Sequence, residues 1–453
     1  PTPIRDSVTT IRQDGSGSIV NARRLVALLL IAIYVALPWI KVGGHPAVFL
    51  DIAARRFHLF GFTLNLGDIW YLFFAITGLG VLIFFVTALL GRVWCGWTCP
   101  QTVFLDFVFR RVERWLEGNS SARRKLDATP WTDPQKILRR GAKILAFLFL
   151  SALIAHVFLA YFVSLPALYG MMRVSPLEHW SNFVFVSAAT LILFFNFFWF
   201  REQLCLIICP YGRFQSALID DDSLVVGYDA RRGEPRGKPR DSSASDCVDC
   251  HRCVQVCPTG IDIRQGLQME CISCSACIDA CDAVMTQLKR PRGLIRYDSM
   301  RALNGGKTRF LRPRVLVYGV LMLVGATVAT FALSRYTPAG LMITRLPGDP
   351  YTLVDSGVIN RFKVRLTNKS DTPLTFSAAL ENAPTSAHIP GFESITLAPQ
   401  EEQVLQLLVE QSKSGYTGSF QFRIHFRSAN GQIDISDAAS FVGPSVEYLN
   451  AQR

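Results

Sequence analysis

The stretch between residues 247 and 281 contains one cysteine pattern twice. The first copy reads Cys247-Val-Asp-Cys250-His-Arg-Cys253-Val-Gln-Val-Cys257-Pro258. The second reads Cys271-Ile-Ser-Cys274-Ser-Ala-Cys277-Ile-Asp-Ala-Cys281-Asp282. In each copy three cysteines follow one another at intervals of three residues, and a fourth comes four residues later. Because thiolates are soft metal ligands, the pattern predicts metal binding by both copies.

This spacing is the signature of a two-cluster bacterial ferredoxin. Three thiolates at intervals of three wrap a short loop around one face of a [4Fe–4S] cube, and the fourth points away to the other cube. The first predicted ligand set is Cys247, Cys250, Cys253 and Cys281; the second is Cys271, Cys274, Cys277 and Cys257. Two zinc sites of four cysteines are the alternative, but zinc does not require this spacing twice. The short interval between the copies predicts that the clusters lie close together.

The composition excludes a disordered chain and argues against a soluble one. Of 453 residues, 50% are hydrophobic and 18% are charged, which is too apolar for disorder. The apolar residues are concentrated in runs, and five of these are long enough to cross a bilayer. They lie at about residues 25–40, 69–90, 144–165, 183–200 and 315–333. The first run has no convincing cleavage site and is predicted to be an uncleaved anchor.

The loops between the runs predict the orientation. Residues 91–142 carry ten Lys and Arg and residues 201–313 carry seventeen, whereas residues 41–68 and 166–182 carry three and one. Basic loops stay inside, so the N-terminus and the iron–sulfur segment are predicted to be cytoplasmic and the region after residue 333 to lie on the far side, which would be the periplasm in a bacterial inner membrane. The net charge of +12 then faces the cytoplasm and an anionic leaflet, and nucleic acid is not an expected partner.

Four further cysteines form a second, smaller repeat. Cys95 and Cys99 follow the second run, Cys205 and Cys209 follow the fourth, and both pairs read Cys-x-x-x-Cys-Pro. This predicts a duplicated two-helix unit whose four thiols converge near the inner membrane surface. Residues four apart share a helix face, so each pair offers two soft ligands for Cu(I), zinc or an iron–sulfur cluster. Buried cysteines without a metal are the alternative. All twelve cysteines lie between Cys95 and Cys281, which argues against a disulfide scaffold.

Two other features carry structural predictions. Residues 104–116 have apolar side chains at helical spacing, with Arg110, Glu113, Arg114 and Glu117 mostly on the other side. They predict an amphipathic helix, either on the membrane surface or packed against another cytoplasmic element. His156 lies within the third run and, as an intramembrane ionisable residue, is a functional candidate by default. We expect it to form a hydrogen bond between helices.

The C-terminal region has a different pattern. Residues 361–366 and 420–426 alternate between polar and apolar side chains, residues 404–409 are a further strand candidate, and polar turns separate these segments. The pattern predicts an immunoglobulin-like β-sandwich. The predicted order is a cytoplasmic segment (1–24), a transmembrane region with four spans (25–228), a ferredoxin-like α+β domain (229–313) that begins with a polar linker (229–245), a fifth span (314–333) and a periplasmic sandwich (334–453).

The paired Cys-x-x-x-Cys-Pro motifs, the double cluster motif and the position of the sandwich resemble the FixG/RdxA/CcoG family of cytochrome c oxidase accessory proteins, which is related to NapH-type membrane iron–sulfur proteins. The resemblance implies reduction of Cu(II) to Cu(I) for assembly of a cbb-type oxidase. It also implies copper chaperones or oxidase assembly factors as partners. The eight ferredoxin-type cysteines would be cluster ligands. Cys95, Cys99, Cys205 and Cys209 would form the membrane-proximal catalytic motif and bind copper.

The residues and the resemblance together predict an iron–sulfur oxidoreductase. Electrons from a donor that the sequence does not identify would pass through two [4Fe–4S] clusters to a metal at the four membrane-proximal cysteines. A quinol-oxidising protein with a pocket among the spans is the alternative enzyme. A non-catalytic redox-sensing assembly scaffold is the alternative from another class. The sequence is also compatible with a homo-oligomer.

Overall fold

The computed structural model describes residues 15, 17–65, 68–237 and 245–451. Most of the predicted N-terminal segment 1–24 therefore lies outside the described residues, as do residues 238–244 of the predicted linker. The chain divides into two compact units. One comprises residues 1–40 and 72–329, and the other comprises residues 41–71 and 330–453.

Five helices are long and apolar enough to cross a membrane, as the sequence predicts. They span Ser18–Ala36, Trp70–Leu90, Pro134–Leu159, Trp180–Phe200 and Pro313–Ser334. We call them spans 1 to 5. Many of their large apolar side chains are exposed on the protein, as lipid-facing side chains are.

Two spans begin earlier along the chain than their apolar runs predict. Span 1 begins at Ser18, and span 3 begins at Pro134. At span 3 the carboxylate of Asp133 caps the helix by accepting from the backbone N–H of Gln135 at 2.7 Å, and Pro134 occupies the first helical position. Both helices begin with a segment that contains charged residues, Arg23 and Arg24 in span 1 and Lys136, Arg139 and Arg140 in span 3, so a search for apolar runs misses it.

Short helices join the spans of the first unit. Between spans 2 and 3 they are Val93–Trp97, Pro100–Phe104, the π-helical turn Leu105–Phe109, Arg110–Glu117 and Ser120–Ala128. Helix Leu165–Met171 lies between spans 3 and 4. Span 4 ends in the π-helical turn Asn196–Phe200, which is followed by the π-helical turn Leu204–Ile208 and helix Pro210–Leu218.

The predicted amphipathic helix corresponds to residues 100–117, and its apolar side packs on spans 3 and 4, which neither of the two predicted environments included. Leu105 and Phe109 are buried in one cluster with Phe147 of span 3 and Phe197 of span 4. The helix therefore packs on protein. The prediction was wrong about its polar side, because Glu113 and Glu117, which the spacing placed away from the core, are only 3% and 1% exposed.

These two carboxylates are buried because span 3 supplies cations that the helical pattern does not show. Nζ of Lys143 lies 2.7 Å from Glu113 Oε1 and 3.2 Å from Glu117 Oε1. Arg140 of the same span lies 3.1 Å from Glu117, and Arg201 lies 2.8 Å from Glu113. A buried carboxylate is tolerated where such partners compensate its lost hydration.

The iron–sulfur segment is closed by a two-stranded antiparallel sheet. Strand Leu224–Tyr228 pairs with Ile295–Ser299, with Leu224 opposite Ser299. Between the strands lie helices Ala230–Gly233, Arg252–Gln255 and Ala276–Gln287 and the 3₁₀ turn Ile263–Gln265, and helix Met300–Leu303 follows. Several of the ferredoxin-type cysteines pack in one core with apolar residues that include Val226, Met285 and Ile295. This segment is the α+β domain that the sequence predicts.

The second unit contains the predicted immunoglobulin-like sandwich. One sheet has the order Ala387–His388, Glu402–Ser412, Gly357–Asn368 and Ala339–Arg345, with Thr352–Leu353 paired at its side. The other has the order Ile395–Leu397, Leu374–Glu381, Phe420–Ser428 and Asp434–Phe441. Alternate residues such as Val364 and Ile424 are fully buried between the sheets. Helix Val446–Ala451 follows the last strand.

Residues 41–64, which the sequence analysis assigned to the transmembrane region, form five strands grouped with the sandwich. The strands are Lys41–Val42, His45–Pro46, Val48–Asp51, Arg56–Leu59 and Phe62–Leu64. The hydroxyl of Tyr336 donates to the Thr63 carbonyl at 2.9 Å, and Lys369 pairs with Asp68.

Candidate functional site

The eight ferredoxin-type cysteines surround two cavities of about 340 Å³ each. The first is lined by Cys247, Cys250, Cys253 and Cys281. The second is lined by Cys257, Cys271, Cys274 and Cys277, and Cys253 also contributes to its wall. The structure therefore brings together the two sets of four that the spacing predicts, including the fourth cysteine of each set from the other copy.

The two cysteine loops have the same unusual backbone. Asp249 and His251 in the first loop have φ values of 48° and 55°, and Ser273 and Ser275 in the second have 52° and 60°. Residues other than glycine adopt this left-handed region at a cost. Alternation of right- and left-handed residues turns successive backbone N–H groups toward one point, which favours bound anions such as iron–sulfur centres. Both loops are therefore shaped to hold a negatively charged group.

One helix contributes to both cavities. Cys277 and Cys281 are four residues apart on helix Ala276–Gln287, and each lines a different cavity. The thiol of Cys277 interacts electrostatically with that of Cys253 as well as with the second set. The two cavities are thus neighbours, as the short interval between the motifs predicts.

Each cavity has a buried arginine beside it, but the two arginines differ in their compensation. Arg264 lines the first cavity, is 7% exposed, and pairs with Asp262 at 2.7 Å and with Asp249. Arg92 is also 7% exposed and donates to the carbonyl oxygens of Met269 and, at 3.4 Å, Cys271. The charge of Arg92 is therefore available to the second cavity.

These features fit [4Fe–4S] clusters. Each cavity offers four thiols, a loop with two left-handed residues and a nearby cation that would offset the negative charge of a thiolate-bound cluster. Two zinc ions would need four cysteines around one point each. Among the described residues, no group of three or more His, Cys, Asp or Glu side chains is arranged to hold a single metal ion.

The two Cys-x-x-x-Cys-Pro motifs have matching local structures. Cys99 precedes helix Pro100–Phe104 and Cys209 precedes helix Pro210–Leu218, each in extended conformation with proline at the first helical position. The amides of Gln101 and Asn196 join the two halves, with Asn196 Nδ2 donating to Gln101 Oε1 at 2.7 Å. The thiol of Cys205 interacts electrostatically with those of Cys95, Cys99 and Cys209. The four thiols therefore converge as predicted.

The surroundings of these four thiols favour the neutral form until a cation arrives. Burial raises the pKa of the Cys95 thiol to about 11 and that of Cys205 to about 12. The Nε2 amide of Gln215, which is fully buried, donates to Cys95 Sγ at 3.2 Å and stabilises the thiolate. A soft metal ion would supply the positive charge that releases the protons. The thiols do not form a preformed three-ligand site for a single ion.

The four-cysteine site adjoins the second cavity. Gly96, which lies between Cys95 and Cys99, packs on the loop between Cys271 and Cys274, and a Cβ at this position would lie 2.5 Å from the Ile272 carbonyl oxygen. Arg92 interacts electrostatically with both Cys95 and Cys271. The two sulfur sites are therefore separated by little more than one loop.

Sequence reasoning missed three residues of this site. Arg92, Gly96 and Gln215 carry no recognisable spacing, and their roles depend on contacts with segments more than one hundred residues away. Only the glycine offered a signal, since a glycine between two cysteines is typical of a close backbone approach. The hydrogen bond predicted between helices for His156 is not made by its Nδ1. That nitrogen donates to the Ala152 carbonyl of its own helix at 2.7 Å.

Three segments of the chain match known protein families. Residues 71–121 match a family described as a 4Fe-4S binding domain, and residues 200–300 match a 4Fe-4S dicluster domain. The first match contains Cys95 and Cys99, and the second contains the other ten cysteines. Residues 329–444 match the immunoglobulin-like fold at the C-terminus of FixG.

Two curated proteins are similar to this chain over most of their length. Protein RdxA of Cereibacter sphaeroides is 38% identical over 391 residues, which cover 81% of each chain. Nitrogen fixation protein FixG of Rhizobium meliloti is 37% identical over 417 residues, covering 80% of this chain and 77% of its own. A crystal structure of a FixG-related protein from Vibrio parahaemolyticus aligns over 24% of this chain and 100% of its own, at 14% identity and a TM-score of 0.23. From its identity to RdxA and FixG, and from its three family matches, the chain belongs to the FixG/RdxA family of multi-pass membrane iron–sulfur electron-transfer proteins.

Proposed function

We propose that this chain passes single electrons through two [4Fe–4S] clusters to its four membrane-proximal cysteines, where Cu(II) is reduced to Cu(I) for assembly of a cbb-type cytochrome c oxidase. Cys247, Cys250, Cys253 and Cys281 would hold the first cluster, and Cys257, Cys271, Cys274 and Cys277 the second. Each cluster, when bound, supplies reversible one-electron chemistry. The observation that carries the proposal is the packing of Gly96 on the loop between Cys271 and Cys274.

The four thiols suit a copper substrate in both its binding and its reduction. Each Cu(II) takes one electron and becomes Cu(I), and thiolates bind the cuprous ion in preference to harder ions. Thiolate ligands thus favour the product of the reduction. The buried Gln215 amide keeps Cys95 oriented, and Arg92 interacts electrostatically with Cys95 of this site and with Cys271 of the second set.

The basic loops support the proposed orientation. We propose that the N-terminus and the iron–sulfur domain face the cytoplasm and that the sandwich faces the periplasm, because the loops rich in Lys and Arg follow spans 2 and 4. Copper chaperones or oxidase assembly factors would then receive Cu(I). The molecular mass of the detergent-solubilised protein would show whether a second copy of the chain is also a partner.

The test uses the full chain in lipid nanodiscs, reduced anaerobically, with a Cu(I)-specific chelator as reporter. Replacing Cys95, Cys99, Cys205 and Cys209 by serine should abolish Cu(II) reduction while the electron paramagnetic resonance (EPR) signals of both clusters persist. Thr98→Ser, inside the first motif, is the matched control and should leave the rate unchanged. Undiminished reduction in the four-serine variant would exclude copper chemistry at this site. Iron in excess of two [4Fe–4S] clusters would instead assign the four cysteines to a further cluster.

A second candidate function, oxidation of a membrane hydroquinone, is favoured by one observation. A cavity of about 1150 Å³ lies among span 3, span 4 and helix Leu165–Met171, and its lining includes His156, His179 and Asn182. Since Nδ1 of His156 donates to a carbonyl, the neutral ring leaves Nε2 as an acceptor for a hydroxyl proton. A pocket with apolar walls and a few polar groups is typical of a small-molecule site.

We rank hydroquinone oxidation second because this cavity lies far along span 3 from the cysteine sites. His156 lies thirteen residues along span 3 from Lys143, so about 20 Å of helix separates this cavity from the ion pairs beside the cysteine sites. Mixing the oxidised protein with a short-chain hydroquinone under argon tests the idea directly. Clusters that are reduced in the wild type but not in His156→Ala would favour it, whereas clusters that stay oxidised in both would discard it.

A further inference from the structure

A cavity beside the second cluster site is lined mainly by arginines. It has a volume of about 810 Å³ and lies between the start of span 1, the amphipathic helix 100–117 and the residues around Pro258. Its arginines are Arg23, Arg24, Arg110, Arg111, Arg114, Arg123 and Arg201. Asp106 and Glu113 are its only acidic residues among those described. Among the described lining residues, seven guanidinium groups therefore face two carboxylates, and Glu202, which lies outside the lining, also pairs with Arg110.

The two carboxylates are already engaged by part of this set. Asp106 Oδ2 lies 3.2 Å from Arg23 Nη2, and Asp106 Oδ1 lies 2.6 Å from Arg110 Nη1. Glu113 accepts from Arg123 at 3.1 Å and from Arg201 at 2.8 Å, and it also pairs with Lys143. Among the described lining residues, neither carboxylate forms an ion pair with Arg24 or Arg111.

Arg24 and Arg111 show the imbalance most directly. Both are half-buried and line the cavity. Arg24 donates to the side-chain oxygen of Asn21 at 3.0 Å, which is uncharged. In the described part of the chain, no carboxylate lies within ion-pair distance of either guanidinium. Like charges that converge on a concave surface raise the local potential and attract anions.

The cavity is also rigid. Arg23 is 4% exposed, its Nε donates to the Gly96 carbonyl at 2.9 Å, and its guanidinium lies 5.3 Å from the centre of the Phe107 ring. Arg110 and Arg201 are held by the ion pairs of the amphipathic helix. Guanidinium groups fixed in this way present planar pairs of donors that match phosphate oxygens.

We propose that this cavity binds a ligand that carries at least two phosphate charges, supplied either by the headgroup of an anionic membrane lipid or by a free polyphosphate. Several arginines around one cavity offer more planar donor pairs than a single phosphate group can accept. Basic pockets between membrane helices on the cytoplasmic side are known to hold lipid headgroups. The inference does not depend on the copper chemistry proposed above.

The test compares two charge-matched double variants of the full chain. Arg24→Gln with Arg111→Gln removes two charges from the cavity and leaves its ion pairs intact. Arg139→Gln with Lys289→Gln removes two charges from exposed positions outside the cavity lining. One arm titrates pyrophosphate into protein in zwitterionic nanodiscs and follows the thermal unfolding temperature. The other arm counts bound cardiolipin by native mass spectrometry.

We expect the cavity variant to bind at least one probe about tenfold more weakly than the wild type, because two charge-assisted contacts are lost. The control variant should bind like the wild type. A loss confined to pyrophosphate assigns a free polyphosphate, and a loss confined to cardiolipin assigns a lipid headgroup. Equal binding by both variants, or no binding of either probe to the wild type, would overturn the proposal. If the double variant does not fold, Arg111→Lys, which keeps the charge but removes the planar donor pair, is the milder substitution.

Discussion

Nη1 of Arg92 donates to the carbonyl oxygen of Cys271 at 3.4 Å, and this buried guanidinium also interacts electrostatically with Cys95 of the other sulfur site. Reduction adds a negative charge to a cluster, and a nearby cation stabilises that charge. We therefore expect Arg92→Gln to lower the reduction potential of the second cluster by roughly 50–100 mV, because charges about 10 Å apart at an effective dielectric constant of about 20 interact by roughly 1–2 kcal/mol. Redox titration followed by EPR measures it.

The reciprocal control is Arg264→Gln, beside the first cavity. Removal of this arginine leaves the carboxylates of Asp262 and Asp249 uncompensated beside the first cavity. It should therefore change the potential of the first cluster and leave the second near its wild-type potential. If Arg92→Gln moved both potentials equally or neither, the electrostatic role assigned to Arg92 would be wrong.

The crossed arrangement of the cysteines predicts opposite outcomes for two neighbours on one helix. Cys281→Ser should impair the first cluster, and Cys277→Ser should impair the second, although both belong to helix Ala276–Gln287. Iron and sulfide analysis with EPR of each variant would identify the lost signal. Loss of the same cluster in both variants would contradict the grouping.

Gly96 is predicted to be intolerant of even a methyl group. A Cβ there would lie 2.5 Å from the Ile272 carbonyl oxygen, so Gly96→Ala must displace the loop before Cys274. We expect a loss of about 1–3 kcal/mol of unfolding free energy, together with slower Cu(II) reduction. Denaturant titration followed by cluster absorbance measures the first effect. Gly78→Ala in span 2 is the control, because a Cβ there meets nothing within 4 Å; similar behaviour of the two variants would refute the close packing.

The buried ion pairs of Glu113 predict that the free energy of unfolding falls at acidic pH. Burial opposes ionisation of this carboxyl, but Arg201 and Lys143 outweigh burial and hold its pKa well below the usual range. A carboxyl with a depressed folded pKa stabilises the fold above its unfolded pKa of about 4.3, and this stabilisation is lost as pH falls below that value. Unfolding should therefore become easier below about pH 4.

Glu113→Gln should cost about 3–5 kcal/mol at neutral pH, because it leaves Lys143 buried beside a weaker partner. The combined variant with Lys143→Met should recover part of this loss. Equilibrium unfolding of wild type and variants at pH 7 measures both effects. A combined variant no more stable than Glu113→Gln alone would show that the pair does not act as a unit.

The sandwich predicts the opposite pH dependence at His425. Hydrogen bonds with Asp434 and Glu381, at 2.9 and 2.5 Å, raise the pKa of this imidazole. A group with a raised folded pKa stabilises the fold below its unfolded pKa of about 6.5, and this stabilisation is lost as pH rises through the folded value. His425→Gln should thus be more destabilising at pH 5.5 than at pH 9, as thermal unfolding would show. An equal effect at both values would exclude a charged His425.

The sequence by itself determined the features that repeat at short intervals. The cysteine spacing identified the sets that share each cavity, the apolar runs located all five spans, and the alternation at residues 361–366 and 420–426 indicated the sandwich. Such patterns are local, because a loop around a cube, a helix in lipid and a half-buried strand each impose their own period on the chain. Whether the cysteines ligate clusters stays a prediction.

Only the tertiary structure decided what covers each residue. Helical spacing placed Glu113 on a polar side, and span 3 buried it by bringing Lys143 against it. Arg92 and Gly96 gained their roles from the loop at Cys271, far along the chain, and the arginine cavity collects its charges from span 1, the amphipathic helix and Arg201. A periodic pattern shows which face a side chain occupies, but its partner comes from a distant segment, and that pairing is settled by packing.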